Sequence, residues 1–63
     1  MSAAEPGVGA VVVDAQGSAW VHLVTGWADV GAPPDDMGEP VTTTWALIVE
    51  HCGPLRVVRE GAS

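Results

Sequence analysis

The sequence contains no lysine, phenylalanine or tyrosine, and its basic side chains other than histidine are two arginines. Against them stand eight acidic residues, which give a formal net charge of −6. Lysine and arginine supply most of a protein's affinity for phosphate backbones. Their scarcity therefore predicts no direct binding to DNA or RNA, and it also disfavours anionic membrane surfaces.

Cysteine and long apolar runs are scarce as well. Cys52 is the one cysteine of the chain, so no internal disulfide can form, as is typical of proteins from reducing compartments. The longest strictly apolar run covers the five residues 45–49, far short of the roughly 20 that a membrane helix needs. The first residues show neither the basic nor the apolar region of a signal peptide. We therefore expect a cytoplasmic protein with no membrane partner.

Few large side chains are available to build a core. The chain has 63 residues, three of them tryptophan, and a chain of this size buries only about 60% of its unfolded surface. Its apolar fraction of 48% nevertheless predicts a folded state. We expect residues 1–8 to be a flexible N-terminus and residues 9–61 to form one small domain. So thin a core would gain stability from a dimer or from a partner protein.

The segment 44–59 is the most apolar part of the chain and organises the rest. Four of its apolar residues recur at the i, i+3, i+4 and i+7 positions of one helix face: Trp45, Ile48, Val49 and Cys52. Thr44 suits the N-cap, and Gly53-Pro54 suits the end of a helix. These signals predict a short helix, followed by a strand over residues 55–59 that packs under it. Alternation over residues 45–49 also permits a strand in place of the helix.

Three antiparallel strands are predicted before this helix, at about 9–14, 19–24 and 27–30. Asp14 to Gly17 has the form of a type I turn closed by a glycine, which pairs Val13 with Ala19. One sheet face is then uniformly apolar, and we assign it to the core: Val11, Val13, Ala19, Val21 and Leu23. The other face is amphipathic: Val12, Trp20, His22 and Val24. The predicted fold is a small α+β domain, a three-stranded meander followed by a short helix and a final strand. If the helix is a strand instead, an SH3-like or OB-like small barrel is the alternative.

Residues with catalytic or metal-binding chemistry are few and poorly spaced. The soft metal ligands are His22, His51 and Cys52, and adjacent residues of a helix point about 100° apart, so no zinc site is expected. A nucleophilic Cys52 would need a base and an orienting group, which the sequence does not place. We interpret Cys52 as a core residue and predict no enzyme activity and no cofactor.

A protein-binding surface is the remaining possibility. Trp20 and His22, joined by Trp27, would form an aromatic patch if the amphipathic sheet face is exposed, and tryptophan is enriched in binding hot spots. Alternatively, the helix or a loop covers these tryptophans in a two-layer core. The long Pro/Gly loop 31–40 would lie beside the patch and steer a basic partner. Its candidate contact residues are Asp35, Asp36, Met37 and Glu39.

Several stretches resemble a loose group of short, mostly uncharacterised proteins of high-GC actinobacteria and their phages. The resemblance covers about two thirds of the chain. It rests on the hairpin from Ala10 to Trp20, Gly26-Trp27, Thr44-Trp45 with Leu47, and Gly53-Pro54-Leu55 with the residues 57–61. It implies a phage or prophage origin, and it implies no catalytic residue and no cofactor.

The sequence thus predicts a non-catalytic accessory protein that binds another protein, such as a phage factor that binds a host or defence protein. A structural or self-associating subunit, for example a virion component, is a second hypothesis because the tryptophan face could pack on copies of itself. A third is an acidic mimic of nucleic acid. The scattered positions of the acidic residues favour it least, because a mimic needs carboxylates on one side at phosphate-like spacing.

Overall fold

The computed structural model describes residues 5–61 of the chain. They form five strands, one helix and the loops between them. The elements in chain order are β1 (Val11–Val13), β2 (Ala19–Leu23), β3 (Gly26–Asp29), β4 (Thr42–Thr43), α1 (Trp45–Cys52) and β5 (Arg56–Arg59). All five strands form one antiparallel sheet in the order β4-β3-β2-β1-β5. The predicted small α+β fold is confirmed. The sheet is open, so the barrel alternative does not apply.

The first hairpin has the predicted turn and register. Val13 pairs with Ala19, the amide of Gly17 donates to the carbonyl of Asp14 at 3.1 Å, and Gly17 has the left-handed φ of 89° that the turn requires. The second hairpin turns one residue earlier than predicted, because Leu23 already pairs with Gly26.

Gly26 marks the point where β3 and β4 approach each other closely. Its φ is 142°, and a Cβ atom there would lie 2.8 Å from the carbonyl oxygen of Thr43. Trp27 pairs with Thr43 in the next position of this ladder. β4 itself was not predicted, since two residues are too short for a period-2 pattern to be recognised.

The helix has the predicted bounds and caps. The Oγ1 atom of Thr44 accepts a hydrogen bond from the amide of Leu47 at 3.3 Å, and Gly53 ends the helix with a φ of 73°. Ile48 is the buried residue of α1 and packs on Ala10, Val12 and Trp27. Among residues 5–61 no helix has the length and hydropathy needed to cross a membrane.

The core lies on the opposite sheet face from the one predicted. Val12 is fully buried and pairs with Trp20 of β2 and Val57 of β5, whereas Val11 and Val13 are only half-buried. The partly buried residues that complete the core are Trp20, Trp45, Cys52 and Leu55. The assignment failed because both faces are rich in apolar residues, and α1 covers the one that holds the tryptophans. A tryptophan buries roughly 150–250 Å², so covering this face removes more apolar surface from water.

The N-terminal segment runs along the covered side of the sheet. The amide of Gly9 donates to the carbonyl of His22 at 2.8 Å, and the indole N–H of Trp27 donates to Glu5 Oε2 at 2.9 Å. A Cβ atom on Gly61 would collide with the backbone of Gly7, so the two ends of the domain are in contact. Glu5 and Pro6 are thus hydrogen-bonded to side chains of the sheet, and residues 1–4 of the predicted flexible terminus lie outside the described residues.

Candidate protein-binding surface

Trp27 is the centre of the core and is inaccessible to a partner. Its exposed fraction is 0%. Its ring stacks on that of His22, with the ring centroids 4.4 Å apart and an angle of 10° between the planes. The ring centroid of Trp45 lies 5.0 Å away, with an angle of 35° between the planes. The alternative in which the helix covers the tryptophans therefore holds for Trp27. The prediction that it contacts a partner in the folded chain is wrong.

His22 and Trp20, the other two members of the predicted patch, use their polar atoms inside the protein. His22 Nδ1 lies 2.8 Å from the carbonyl oxygen of Pro6, which only accepts, so Nδ1 carries the proton. His22 Nε2 is 3.5 Å from Glu5 Oε2, and the side chain is 15% exposed. Trp20 Nε1 donates to Asp14 Oδ2 at 3.0 Å. These side chains fix the N-terminal segment and the first turn rather than forming an open aromatic patch.

Asp14 joins the first turn, the sheet and the end of the helix. Its Oδ1 accepts from the amides of Gln16 and Ser18, both at 2.9 Å, while its Oδ2 accepts from Trp20. The thiol of Cys52 donates to the same carboxylate. The hydrogen bond from Trp20 is the main reason that the pKa of Asp14 lies below its ordinary value, and those from Ser18, Gln16 and Cys52 add to it against the opposing effect of burial.

Cys52 is correspondingly protected as a neutral thiol. Burial is the main cause that raises its pKa above the ordinary value, and the negative charge of Asp14, the hydrogen bond to Asp14 and the charge of Asp29 act in the same direction. The thiolate is the nucleophilic form of cysteine. Cys52 therefore has the opposite of the environment that activates a catalytic cysteine, which agrees with its interpretation as a core residue.

Alkylation of Cys52 tests this environment. At pH 8 we expect iodoacetamide to react more slowly with the folded protein than with the same chain in urea, because the raised pKa of Cys52 lowers the fraction of the reactive thiolate. Asp14→Asn removes a negative charge beside the thiol and should speed the reaction, whereas Asp36→Asn in the exposed loop should not. Equal rates for the folded and unfolded chains would contradict the raised pKa.

The loop 31–40 is exposed throughout and holds its own shape. Asp35 Oδ1 accepts from the amides of Met37 and Glu39, each at 2.9 Å. Asp36 and Glu39 are exposed and make no ion pair with any residue in the range 5–61, and Met37 is 85% exposed. Asp35 thus shapes the loop, while Asp36, Met37 and Glu39 remain available for contact.

The sheet face away from α1 is apolar and carries no helix or strand from the described part of the chain. We call it the open face, and it consists of the half-buried residues Val11, Val13, Ala19, Val21 and Leu23, together with Ala28, which is buried between its neighbours at 5% exposure. Pairing places Arg56 beside Val13, and across the β-bulge between Val12 and Val11 it places Arg59 beside Val11, so both arginines join this face along β5. These are the residues that sequence reasoning assigned to the core. The uniform apolar alternation was the correct signal, but it marks a surface.

Charge is distributed unevenly around the open face. It carries both arginines of the chain, and none of the strand positions on it is acidic. Asp29 pairs with Trp20 and so belongs to the covered face, as does Asp14. Neither Arg56 nor Arg59 forms an ion pair with a residue in the range 5–61. The open face therefore combines an apolar centre with an unneutralised positive edge on a protein that is otherwise acidic.

A groove of about 550 Å³ lies between the start of α1 and the β3–β4 edge. Its lining includes Glu5, His22 and Thr42, but Glu5 already accepts from Trp27 and His22 already contacts Pro6. Residues 5–61 bring together no group of three or more histidine, cysteine or acidic side chains that could hold a metal ion. The titratable side chains of the groove, Glu5 and His22, are therefore already engaged within the protein.

Comparison with known proteins identifies no relative: no family model, no curated protein and no solved structure matches this chain.

Proposed function

We propose that this chain is a non-catalytic accessory protein that works by binding protein, and that it does so through the open face. The partner surface is apolar at its centre and acidic where it meets β5. The observation that carries the proposal is an apolar sheet face that neither the helix nor another strand covers. Antiparallel sheets commonly have one face in the core and the other in water, and the exposed face is then usually polar.

The shape of the open face, one side of a single layer of strands, supports a protein as the ligand. A flat surface of this kind suits another protein better than a small molecule, which needs a concave pocket.

The chemistry of the chain supports a binding role over catalysis. The thiol of Cys52 is held neutral by burial and by Asp14, and His22 has both ring nitrogens directed at acceptors within the protein. Two arginines at the edge of an apolar surface match the composition of protein interfaces, where arginine is enriched and lysine depleted relative to the rest of the surface. The acidic-mimic hypothesis receives less support, because Asp14 is buried and Asp29 lies on the covered face.

A photoreactive amino acid at position 23 tests the proposal directly. Leu23 belongs to the open face, and Leu47, which is 46% exposed on α1, is the matched control on the other side of the sheet. In cells that express the chain, we expect irradiation to give a discrete protein adduct from position 23 and none from position 47. Val21→Asp should abolish the adduct, and an unchanged far-ultraviolet circular dichroism spectrum of this variant shows that the loss does not come from unfolding. No adduct of any kind from position 23, with either this chain or another protein, would refute the proposal.

A further inference from the structure

The two lateral edges of the sheet carry opposite charge. Arg56 and Arg59 lie on β5, which is one edge strand. The loop 31–40 leaves the sheet at the end of β3 and returns at β4, the opposite edge strand, and it presents Asp36 and Glu39 to solvent. The open face between these edges is apolar. The apolar open face therefore lies between an edge strand that carries two arginines and an edge strand that is joined to an acidic loop.

A surface of this kind can pair with itself. A two-fold axis that runs parallel to the strands, between two copies placed open face to open face, reverses the lateral order of the strands. β5 of one copy then lies over β4 and the acidic loop of the other, and the same contact occurs twice. A two-fold axis perpendicular to the strands would instead place β5 of one copy over β5 of the other, which sets arginine against arginine. Charge thus selects one of the two arrangements.

We infer that the partner of the open face is a second copy of this chain, in a two-fold dimer with Arg56 and Arg59 of each copy against Asp36 and Glu39 of the other. This inference rests on the proposed function, since it names the protein that the open face binds. Stacking of the two sheets turns a two-layer domain into a four-layer body with the apolar open faces at its centre. Val11, Val13, Val21 and Leu23 then leave water, which adds to a core whose fully buried large side chains, among residues 5–61, are Trp27, Ile48 and Val12.

Charge reversal in two complementary variants provides the test. Variant one is Arg56→Glu with Arg59→Glu, and variant two is Asp36→Lys with Glu39→Lys. Alone, each places like charges at both edges of the dimer and should raise the dimer Kd by at least tenfold, since like charges set against each other at an interface cost several kcal/mol. Mixed one to one, the two variants restore opposite charges at both edges, so a heterodimer should form with a Kd close to that of the unaltered homodimer.

Sedimentation equilibrium from about 1 µM to 1 mM measures these constants, and Glu50→Lys on α1 is the control that should leave the dimer intact. A wild-type chain that stays monomeric up to 1 mM overturns the inference. So does a dimer that neither variant weakens, because another surface would then be responsible. Weakening by each variant without recovery on mixing overturns the pairing of arginines with the loop. An adduct from position 23 with a different protein, from a chain that sediments as a monomer, ends this inference while the proposed function stands.

Discussion

Replacing Trp27 with alanine is expected to remove at least about a third of the free energy of unfolding of the chain. Trp27 has no exposed surface, stacks on His22, contacts Trp45 and packs in the cluster with Val12 and Ile48. Truncation of a buried tryptophan to alanine costs about 3–5 kcal/mol. A chain of 63 residues has a total free energy of unfolding of roughly 3–9 kcal/mol. The loss is therefore comparable with the whole stability of the domain.

Urea unfolding followed by far-ultraviolet circular dichroism measures this effect, because the signal does not depend on the tryptophan that is removed. Val24→Ala is the matched control: Val24 is 90% exposed at the tip of the second hairpin, so its truncation should change the free energy of unfolding by less than about 0.5 kcal/mol. A loss of less than about 1 kcal/mol for Trp27→Ala would show that the indole is not the centre of the core.

The elements that sequence reasoning predicted well are those with local chemical signals. The helix has its N-cap at Thr44 and its end at Gly53 because both signals act within a few residues of the backbone they satisfy. The turn from Asp14 to Gly17 is equally local. β4 has no such signal, since its two threonines form a strand only because Gly26 allows their backbone to approach β3.

The side of the sheet that the helix covers was not predictable from alternation alone. Alternation shows which residues share a face, and it grouped Val11, Val13, Val21 and Leu23 correctly. It does not show which face the helix covers, because that depends on the summed burial of distant residues such as Trp27 and Ile48. The larger aromatic volume of the covered face was the signal that could have decided the question.

The same error explains what happened to the candidate site. Trp20, His22 and Trp27 were grouped correctly, but the group lies under α1 and the N-terminal segment. Hydrogen bonds between residues far apart in sequence, such as Glu5 with Trp27, have no sequence signature. The roles of the two faces are therefore exchanged: the predicted patch is core, and the predicted core is the face that we propose binds protein.

Asp14→Asn should lower the Tm at pH 7 by roughly 10 °C, since a lost buried network is among the larger single-site effects in a domain of this size. Asparagine has the shape of aspartate but replaces one acceptor oxygen with a donor group. Oδ1 of Asp14 faces the amides of Gln16 and Ser18, and Oδ2 faces the indole N–H of Trp20. In one orientation the NH2 group of asparagine would face the indole N–H of Trp20, and in the other it would face the amides of Gln16 and Ser18. Either way, two hydrogen-bond donors would face each other. The first turn and the end of α1 would lose the group that joins them.

The dependence of stability on pH separates this network from simple packing. The pKa of Asp14 is lowered in the folded chain from its ordinary value of 3.8, so the folded state prefers the ionised form. Its contribution to stability is fully present above the unfolded pKa and is lost as the pH falls through the folded pKa. The Tm of the wild-type chain should therefore fall steeply below about pH 4, while that of Asp14→Asn should fall less. Asp36→Asn, in the exposed loop, should keep the wild-type profile. Parallel acid profiles for the wild-type chain and Asp14→Asn would mean that the carboxylate of Asp14 does not hold the turn, the sheet and the helix end together through its charge.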